Sequence, residues 1–350
     1  MSDPRPRLVF NALPLTASPD GVSSYIRGLL GAIGSEVDAE LVAAVQPEGA
    51  GELTSGVIPL VKGASRGVRR AAAGALGFGP AALVHGLDVD LPWTGRTLTV
   101  STVHDLAVFD VPWAFPRQRA IGERMLVRHA LRRADAVVAV SGFTAERVRA
   151  LLGREATVVH SAPASELSPP GRTEIDRVRD RYRLPERFVL HVGNIEPRKD
   201  VGTLAEACRL ASVPLVVTGR GLWGHRAPEG VWAVGQVPAS DLPGLYGAAT
   251  IVGYASRYEG FGLPPIEAMA CGAAVVSTPV PAVTEVAEDA VATFRPGDVE
   301  GLAATLRRLL DDPEERAELG ARGQERVRPL SWSKTAGATA ELYRSLGLRV

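Results

Sequence analysis

Residues Tyr258–Gly272, Y-E-G-F-G-L-P-P-I-E-A-M-A-C-G, stand between two apolar runs, Thr250–Ala255 and Ala273–Ser277. Short apolar runs of this kind indicate buried strands, so the glycine-rich part lies where a strand passes into a helix. The glycines on either side of Phe261 let a ligand approach the backbone closely. The first turn of a helix binds anions through its N–H groups and dipole, and the stretch therefore predicts a phosphate site.

The rest of this stretch specifies the helix. Pro264 or Pro265 suits the first helical position, where an N–H has no partner inside the helix. We then expect Glu267 in the first turn, where its charge favours the helix dipole and its two oxygens can accept hydrogen bonds from a vicinal diol such as a ribose. Gly272 is a natural end for the helix.

Composition limits the classes of function. The 350 residues are enough for two domains, and 46% hydrophobic with 22% charged residues is typical of globular proteins. Lys and Arg number 39, as do Asp and Glu, so no net field attracts nucleic acid or lipid. We therefore expect no nucleic-acid partner. The composition leaves the oligomeric state open.

Cysteine usage and hydropathy indicate a cytoplasmic protein. Cys208 and Cys271 lie in apolar helical patterns, as buried thiols of a reducing compartment do. We expect neither an amino-terminal signal nor a spanning helix, because no apolar run approaches the ~18 residues required. Two stretches are basic, Arg66–Arg70, which precedes an apolar helical segment at 71–78, and Arg117–Arg133. We interpret them first as solvated helix faces, with contact to an anionic acceptor or a weak peripheral membrane contact as the alternatives.

The chain alternates apolar, β-branched runs with helical stretches, which predicts an α/β fold with parallel sheets covered on both faces. Twelve such runs are too many for one comfortable open sheet and favour two doubly wound domains. The predicted strands are Leu8–Phe10, Leu41–Val45, Leu83–His85, Leu98–Val103, Ala136–Val140, Thr157–His160, Phe188–Val192, Pro214–Thr218, Val231–Val234, Thr250–Tyr254, Ala273–Ser277 and Ala290–Phe294.

A linker rich in Pro and Ser, Ala162–Gly171, divides the two halves. The prediction is a first domain at 1–165, a second at 172–330, and a carboxyl-terminal helix at 331–350 that packs back toward the first. In doubly wound folds ligands bind beyond the carboxyl ends of the strands, so we expect the two domains to face a central cleft.

The first strand of the second half runs into G-N-I-E-P-R-K-D, Gly193–Asp200. Arg198 and Lys199 stand where two cations can neutralise a diphosphate, the Arg by bidentate contact and the Lys as a point charge. The alternative is an ordinary solvated turn before a helix that Asp200 caps.

Taken together, these segments resemble the retaining nucleotide-sugar glycosyltransferases of group one, family four, which have the GT-B fold of two facing Rossmann-like domains. The resemblance rests on Glu259-x7-Glu267, on Gly193–Asp200, and on G-Q-V at 235–237 followed by D-L-P and L-Y within Asp241–Tyr246. It covers nearly the whole chain. This chain has Asn194 where many relatives carry an Arg. Either Arg198 supplies more of the positive charge at the phosphates, or the chain belongs to a different subfamily.

The resemblance implies a donor site in the second domain. Glu267 would bind the ribose and Glu259 the hydroxyls of the donor sugar, while Lys199 and Arg198 stabilise the phosphate charge. The remaining donor contacts would come from two sets of residues. They are the turn at Gly260, Phe261, Gly262 and Leu263, in which the amides of the last three would hold the sugar and diphosphate, and the loops at Asn194, Arg220 and Val237.

In the first domain the resemblance places Gly21 at the donor phosphates and His104 near the anomeric centre, with Asp105 and Tyr25 as acceptor contacts. Helix capping by Asp20 explains the sequence around Gly21 equally well. The alternative for His104 is a histidine at a strand end whose hydrogen bonds are satisfied within the fold. Ser141-Gly142-Phe143-Thr144 is expected to cap a helix.

The resemblance further implies retention without an obligatory nucleophile, the departing phosphate accepting the acceptor's proton. The donor it implies is a nucleotide diphosphate sugar, GDP-mannose first and UDP- or dTDP-sugars next. The expected acceptor is a hydroxyl of a glycan, a lipid-linked glycan or a small natural product. We expect no cofactor and no metal, because no Asp-x-Asp stands in a suitable loop and a lysine with a helix dipole can replace a cation.

Four other functions remain as alternatives. A sugar-nucleotide epimerase and a phosphorylase can share the GT-B fold. A dinucleotide-dependent dehydrogenase needs Gly-x-Gly-x-x-Gly after the first strand, where this chain has Asn-Ala-Leu-Pro at 11–14. A nucleotide-sugar-binding protein without catalysis is expected to lose the cationic pair or His104, and both are present.

Overall fold

The computed structural model describes residues 5–17, 20–63, 77–89, 91–92, 97–222 and 224–350, which form two compact units. The first comprises the described residues of Met1–Asp110, Arg117–Ala162 and Leu330–Val350, and the second those of Val111–Pro116 and Pro163–Pro329. The division at 162/163 falls inside the expected linker. The basic stretch at 66–70 lies outside the described residues, as does the segment at 71–78 apart from its last two positions.

The first unit is built on a seven-stranded parallel sheet with strand order β3-β2-β1-β4-β5-β6-β7. Its strands are β1 (Arg7–Asn11), β2 (Glu40–Val45), β3 (Val57–Val61), β4 (Leu83–Gly86), β5 (Leu98–Val103), β6 (Ala136–Ala139) and β7 (Thr157–Val158). Its described helices are α1 (Gly21–Ile33), α2 (Ala107–Asp110), α3 (Arg117–Arg133), α4 (Gly142–Leu152), the carboxyl-terminal α12 (Trp332–Ser345) and a 3-10 helix at Pro47–Glu52.

The second unit has a six-stranded parallel sheet with strand order β10-β9-β8-β11-β12-β13. Its strands are β8 (Val189–Val192), β9 (Leu215–Thr218), β10 (Trp232–Gly235), β11 (Ile251–Tyr254), β12 (Val275–Ser277) and β13 (Ala292–Thr293). Its described helices are α5 (Arg172–Tyr182), α6 (Val201–Leu210), α7 (Leu242–Ala248), α8 (Leu263–Ala270), α9 (Pro281–Ala287), α10 (Val299–Asp311) and α11 (Pro313–Val327), with 3-10 helices at Pro112–Ala114, Pro197–Lys199 and Ala239–Asp241.

All twelve predicted strands are present, and the structure adds β3. The sequence V-I-P-L-V at 57–61 was not recognised because Pro59 cannot donate to a ladder. Proline is tolerated at sheet edges, and β3 is the edge strand beside β2. Ile58 and Val61 are half exposed there, so the segment also lacks the burial of its neighbours.

In each sheet the order in which strands are added reverses at one place. In the first unit the chain builds outward from β1 to β3 and then returns to place β4 on the other side of β1; in the second, β11 returns to the free side of β8. Beyond the carboxyl ends of two strands that diverge in this way the loops separate and leave a crevice, which is where ligands bind in doubly wound folds. The turns after β8 and β11 therefore lie where the fold favours a site.

Helix α10 shows how the second unit forms its core. Asp298 caps it, with a carboxylate oxygen accepting from the amide of Gly301 at 2.8 Å. Leu302, Leu306 and Leu309 follow at helical spacing and are fully buried against α6 and the sheet. Burying one such side chain contributes about 2 kcal/mol, so this stripe holds the helix in place.

The carboxyl-terminal helix α12 belongs to the first unit, where it packs on α1. The ring of Trp332 lies edge-on to Tyr25, with the centroids 5.7 Å apart. At its other end the Tyr343 hydroxyl is 2.6 Å from Nδ1 of the buried His85, whose Nε2 lies 2.9 Å from Oγ1 of Thr102. Burial lowers the pKa of His85 to about 3, so this network holds a neutral imidazole.

Gly28 makes the close approach of α1 and α12 possible. A Cβ at this position would lie 2.1 Å from the ring of Trp332, whereas a Cβ at Gly31 on the same helix would lie 3.7 Å from its nearest neighbour. We expect Gly28→Ala to displace the Trp332 ring and to lower the free energy of unfolding by about 1–3 kcal/mol.

Gly31→Ala is the matched control, which we expect to be neutral or stabilising by up to about 1 kcal/mol because alanine favours helices. Denaturant unfolding followed by tryptophan fluorescence measures both. Equal stability of the two variants would contradict the packing described for Trp332.

Candidate functional site

The loops after β8 and β9 are held together by backbone contacts. The amide of Gly193 donates to the carbonyl of Thr218 at 3.0 Å, and that of Ile195 donates to the carbonyl of Arg220 at 2.9 Å. Gly219 has a φ of +136°, and a Cβ there would lie 2.0 Å from the carbonyl oxygen of Gly193. Glycine is therefore required at 219, and this packing fixes the start of the segment that carries Arg198 and Lys199.

The remaining predicted donor residues of this region lie on these loops. Asn194 is partly buried, Arg220 is exposed, and Val237 is buried after β10. Asp200 stands before α6 but makes no capping bond, because it adopts a left-handed conformation and its carboxylate pairs with Arg257 at 2.7 Å. The alternative in which Asp200 caps α6 is wrong for this reason. The expected cap at Ser141 is confirmed by its bond from the amide of Thr144.

The segment after β11 forms the predicted turn and helix. Gly262 takes the left-handed conformation at a φ of 86°, and α8 begins at Leu263. The helix thus starts one residue before Pro264, and Glu267 is its fifth residue. The expectation that Glu267 lies in the first turn is wrong, because the turn at Gly262 starts the helix earlier than a first-position proline would.

The two prolines also limit the anion site expected at the start of α8. Pro264 and Pro265 have no N–H, and the amide of Ile266 donates to the carbonyl of Gly262 at 3.4 Å. This leaves the amides of Gly262 and Leu263 as the donors at the helix start. The anion site therefore has fewer amide donors than a helix start without prolines would offer.

A buried ion cluster joins the two segments. Arg198 Nη1 lies 3.0 Å from Oε2 of Glu259, and Nη2 lies 2.8 Å from Oε1 of Glu196. Lys199 Nζ contacts the other oxygen of Glu259. All four side chains are at most 16% exposed. The sequence positions of Arg198 and Glu259 differ by 61, so this cluster exists only because β8 and β11 are adjacent.

The cluster holds Glu259 ionised. Burial acts to raise the pKa of this carboxyl, but the charges of Lys199 and Arg198 outweigh burial and lower the pKa to about 2. Removing one partner from a buried ion pair costs about 3–5 kcal/mol, since the other charge stays desolvated. Glu259 is therefore a fixed, charged acceptor at any pH near neutrality.

Glu267 has the opposite electrostatic environment. Its carboxyl accepts a hydrogen bond from the Tyr246 hydroxyl at 3.1 Å and has no described ion-pair partner. Burial raises the pKa to about 7, although the bond from Tyr246 opposes the shift. Glu267 therefore titrates near neutral pH, whereas Glu259 stays ionised there.

Three residues of this region were missed from sequence. Glu196 lies in the cluster, Tyr246 bonds Glu267, and the fully buried His191 packs at the end of β8 with Nδ1 3.2 Å from the carbonyl of Gly253. Burial and the nearby charge of Lys199 lower the pKa of His191 to about 4. Glu196 lies within the basic turn at 193–200 and Tyr246 within the L-Y motif, so both stood in segments that the sequence singled out, whereas His191 lay in an ordinary apolar strand.

The first unit contains the other predicted site residues. Gly21 opens α1, and Asp20 caps this helix by accepting from the amide of Ser23 at 2.9 Å. Tyr25, predicted as an acceptor contact, is fully buried, and burial raises its pKa to about 12. We correct that assignment, because its ring packs between His104 and Trp332 and its hydroxyl faces Thr102.

His104 and Asp105 follow β5 as expected and are partly exposed. His104 Nε2 lies 2.8 Å from the carbonyl of Leu87. A carbonyl only accepts, so Nε2 carries the hydrogen and Nδ1 of the neutral ring is an acceptor. Asp105 accepts from the amide of Ala107 at 2.9 Å and thereby starts α2. The functional roles of both residues stay predictions.

Neither a membrane-spanning helix nor a metal cluster is found among the described residues. Among these residues, no helix has the length and apolar character to cross a membrane. The same residues contain no cluster of three or more His, Cys, Asp or Glu side chains arranged to hold a metal ion.

Comparison with protein families gives two matches. The model of the glycosyl transferases group 1 matches residues 173–326, and that of glycosyltransferase family 4 matches residues 57–163. The O-antigen chain mannosyltransferase B of Escherichia coli is 32% identical over 267 residues, which are 71% of this chain and 70% of that protein. The D-inositol 3-phosphate glycosyltransferase of Kineococcus radiotolerans is 30% identical over 293 residues, 73% of this chain and 66% of that protein.

A further relative is longer. The serotype-specific mannosyltransferase WbdA of E. coli is 28% identical over 71% of this chain, but this match spans 33% of that protein. Among solved structures, Anabaena HepE in complex with UDP and glucose superimposes with a TM-score of 0.78 at 19% identity, covering 97% of this chain and all of that one. The sucrose-phosphate synthase of Thermosynechococcus elongatus gives 0.77 at 23% identity, covering 98% and 99%. These structural matches concern the fold.

The raised pKa of Glu267 makes stability depend on pH. The pKa of about 7 in the folded protein exceeds the ordinary 4.5, so the folded chain binds the proton more tightly between these pH values. Stability is therefore lost as pH rises from 4.5 to 7, by about 3 kcal/mol in total. Glu267→Gln removes this loss, and we expect the variant to be more stable than the wild type by up to that amount above pH 7.

The measurement is urea unfolding of both proteins at pH 5, 7 and 8.5. Glu206→Gln on α6 is the control, because this exposed carboxylate pairs with Arg209 and its pKa is lowered, so no stabilisation at high pH is expected. A stability difference between Glu267→Gln and wild type that did not change with pH would contradict the assigned environment.

Proposed function

The chain belongs to the group 1 glycosyltransferases, and we propose that it moves a hexose from a nucleotide diphosphate sugar to an acceptor hydroxyl with retention of anomeric configuration. Its two doubly wound units agree with the GT-B fold expected from the sequence. The observation that carries the proposal is the buried cluster of Arg198, Lys199 and Glu259 at the ends of β8 and β11.

The chemistry follows from charge. When the bond between the anomeric carbon and the diphosphate breaks, negative charge develops on the leaving phosphate oxygen. Lys199 and the amides of Gly262 and Leu263 stabilise this charge in a site already organised by Glu259. The acceptor oxygen forms the new bond on the same face, and its proton passes to the departing phosphate. A lysine and a helix start supply the positive charge, so we propose that the transfer needs no metal.

Glu259 and Glu267 have different roles in this proposal. Glu259 stays ionised and accepts hydrogen bonds from hydroxyls of the donor sugar. Glu267 accepts two from the ribose diol, for which it must lose its proton. Arg198 reaches Glu259 and the carbonyl of Tyr258, both at 3.0 Å, and so supports the segment that holds the sugar. His104 is proposed to act near the anomeric centre.

The donor we favour is GDP-mannose, because two of the relatives described above are named mannosyltransferases. UDP- and dTDP-sugars are the next candidates. For the acceptor we favour a hydroxyl of a glycan, since one of these relatives is named for the O-antigen chain; lipid-linked glycans and small natural products are the other candidates. We place the reaction in the cytoplasm, where buried free thiols such as Cys208 and Cys271 remain reduced.

A donor screen tests this proposal directly. We expect GDP-mannose to raise the melting temperature of the protein more than UDP- or dTDP-sugars, and mannose transfer to follow with a suitable acceptor glycan. Carbon–proton coupling at the new anomeric centre reports retention. Stabilisation by NAD, with none by any sugar nucleotide, would overturn the assignment.

Lys199 provides a catalytic test. We expect Lys199→Ala to lower kcat by about 10²–10³-fold, as for other removed donors to a developing anion, with a smaller change in KM. Lys334→Ala is the matched control, because Lys334 is exposed on α12 and should leave the rate unchanged. Lys199→Arg keeps the positive charge. Activity that is lost in Lys199→Ala but partly kept in Lys199→Arg is then due to the missing charge and not to misfolding. A fully active Lys199→Ala enzyme would contradict the site.

The pKa of Glu267 also predicts the pH dependence of donor binding. A carboxyl with a pKa of about 7 is mostly protonated at pH 6 and mostly ionised at pH 8. We expect GDP-mannose to bind about tenfold more weakly at pH 6 than at pH 8, with proton release at neutral pH. Calorimetry in buffers of different ionisation enthalpy measures both. The Glu267→Gln variant should bind GDP-mannose weakly at every pH. If its affinity changed with pH as that of the wild type does, Glu267 would be excluded as the titrating group.

A further inference from the structure

Glu196 is a buried acid that the reaction described above does not use. It directly precedes the 3-10 helix at Pro197–Lys199, its carbonyl accepts from the amide of Lys199 at 3.0 Å, and the residue is 6% exposed. Its side chain turns toward Arg198, with Oε1 2.8 Å from Nη2. A carboxylate is seldom buried unless a specific contact compensates it.

The guanidinium of Arg198 connects this acid to the site. One terminal nitrogen contacts Glu196, and the other contacts both Glu259 and the carbonyl of Tyr258 at 3.0 Å. A guanidinium is planar and its nitrogens have fixed directions, so contacts at both ends set its orientation. The contacts run in series from Glu196 through Arg198 to Glu259, and from Glu259 to Lys199.

The charges of the cluster make the presence of Glu196 informative. Two cations, Arg198 and Lys199, face two carboxylates, Glu196 and Glu259, so the described cluster is neutral. An acid beside a diphosphate site weakens the attraction between that site and its anionic ligand. Glu196 therefore opposes donor binding, and the contact that offsets this disadvantage is its hold on Arg198.

We propose that Glu196 is a positioning residue for sugar transfer, which keeps Arg198 bound to Glu259 and prevents it from moving onto the diphosphate. This inference rests on the proposed function. With Arg198 fixed, Glu259 keeps the orientation that meets the donor sugar, and Lys199, which contacts the other oxygen of Glu259, is the cation that turns to the leaving phosphate. The neutral cluster also releases the nucleoside diphosphate product more readily than a cationic cluster.

Glu196→Gln tests this role, because the amide oxygen can still accept from Arg198 while the cluster gains a positive charge. We expect GDP to bind about 5- to 10-fold more tightly, KM for GDP-mannose to fall, and kcat to fall about tenfold. Glu196→Asp keeps the charge but shortens the side chain. For this variant we expect wild-type affinity for GDP with a reduced kcat, which separates the charge from the position.

The experiment measures Kd for GDP by calorimetry, kcat and KM for GDP-mannose, and the melting temperature of each variant. If the donor screen identifies another base, its nucleoside diphosphate and sugar are used instead. Glu206→Gln is the control, since its exposed ion pair with Arg209 on α6 should affect none of these values. A merely structural ion pair would lower the melting temperature and weaken GDP binding, and it would not tighten binding.

Two results would overturn the inference while leaving the proposed function in place. The first is a Glu196→Gln enzyme with wild-type Kd and kcat. The second is one with weaker GDP binding and a lower melting temperature, as expected for a structural role alone. Failure of the wild type to bind any nucleoside diphosphate would instead remove the proposed function, and this inference with it.

Discussion

The parallel pairing of β8 with β11 is the constraint on which the candidate site depends. Val189 and Leu190 of β8 align with Ile251 and Val252 of β11, although β9 and β10 lie between these strands in the chain. The chain leaves β8 toward one side of the sheet and returns to place β11 on the other side of β8. The loops that follow these two adjacent parallel strands therefore start side by side at the same edge of the sheet. The cations of one loop and the carboxylate of the other meet there.

Two buried carboxyls at this edge have opposite proton affinities for a local reason. Glu259 lies among two cations that more than offset the cost of burial, and its pKa falls to about 2. Glu267 is equally buried but has a tyrosine hydroxyl as its described partner, and its pKa rises to about 7. In the proposed sugar transfer, Glu259 would stay fixed and charged, while Glu267 would couple donor binding to proton release.

Much of the fold could be predicted from the sequence, and the errors have physical explanations. Twelve strands were recognised from apolar runs, while β3 was missed because Pro59 and a half-exposed face disguise an edge strand. The predicted start of α8 is too late. The preference of proline for the first helical position suggested Pro264 or Pro265, but the left-handed turn at Gly262 starts the helix at Leu263. Tyr25 was assigned to an acceptor from its motif, but aromatic packing against α12 buries it.

Local sequence determined the elements of this protein and the identity of its charged groups. Glycine at 262 and 272, the prolines at 264 and 265, and the acids at 259 and 267 fix a turn, a helix and two carboxyls whatever surrounds them, since these preferences act over a few residues. Only the tertiary structure decided which groups became partners. The series from Glu196 through Arg198 to Glu259, and the isolation of Glu267 beside Tyr246, arise from strand pairing and burial between distant segments, which no local pattern records.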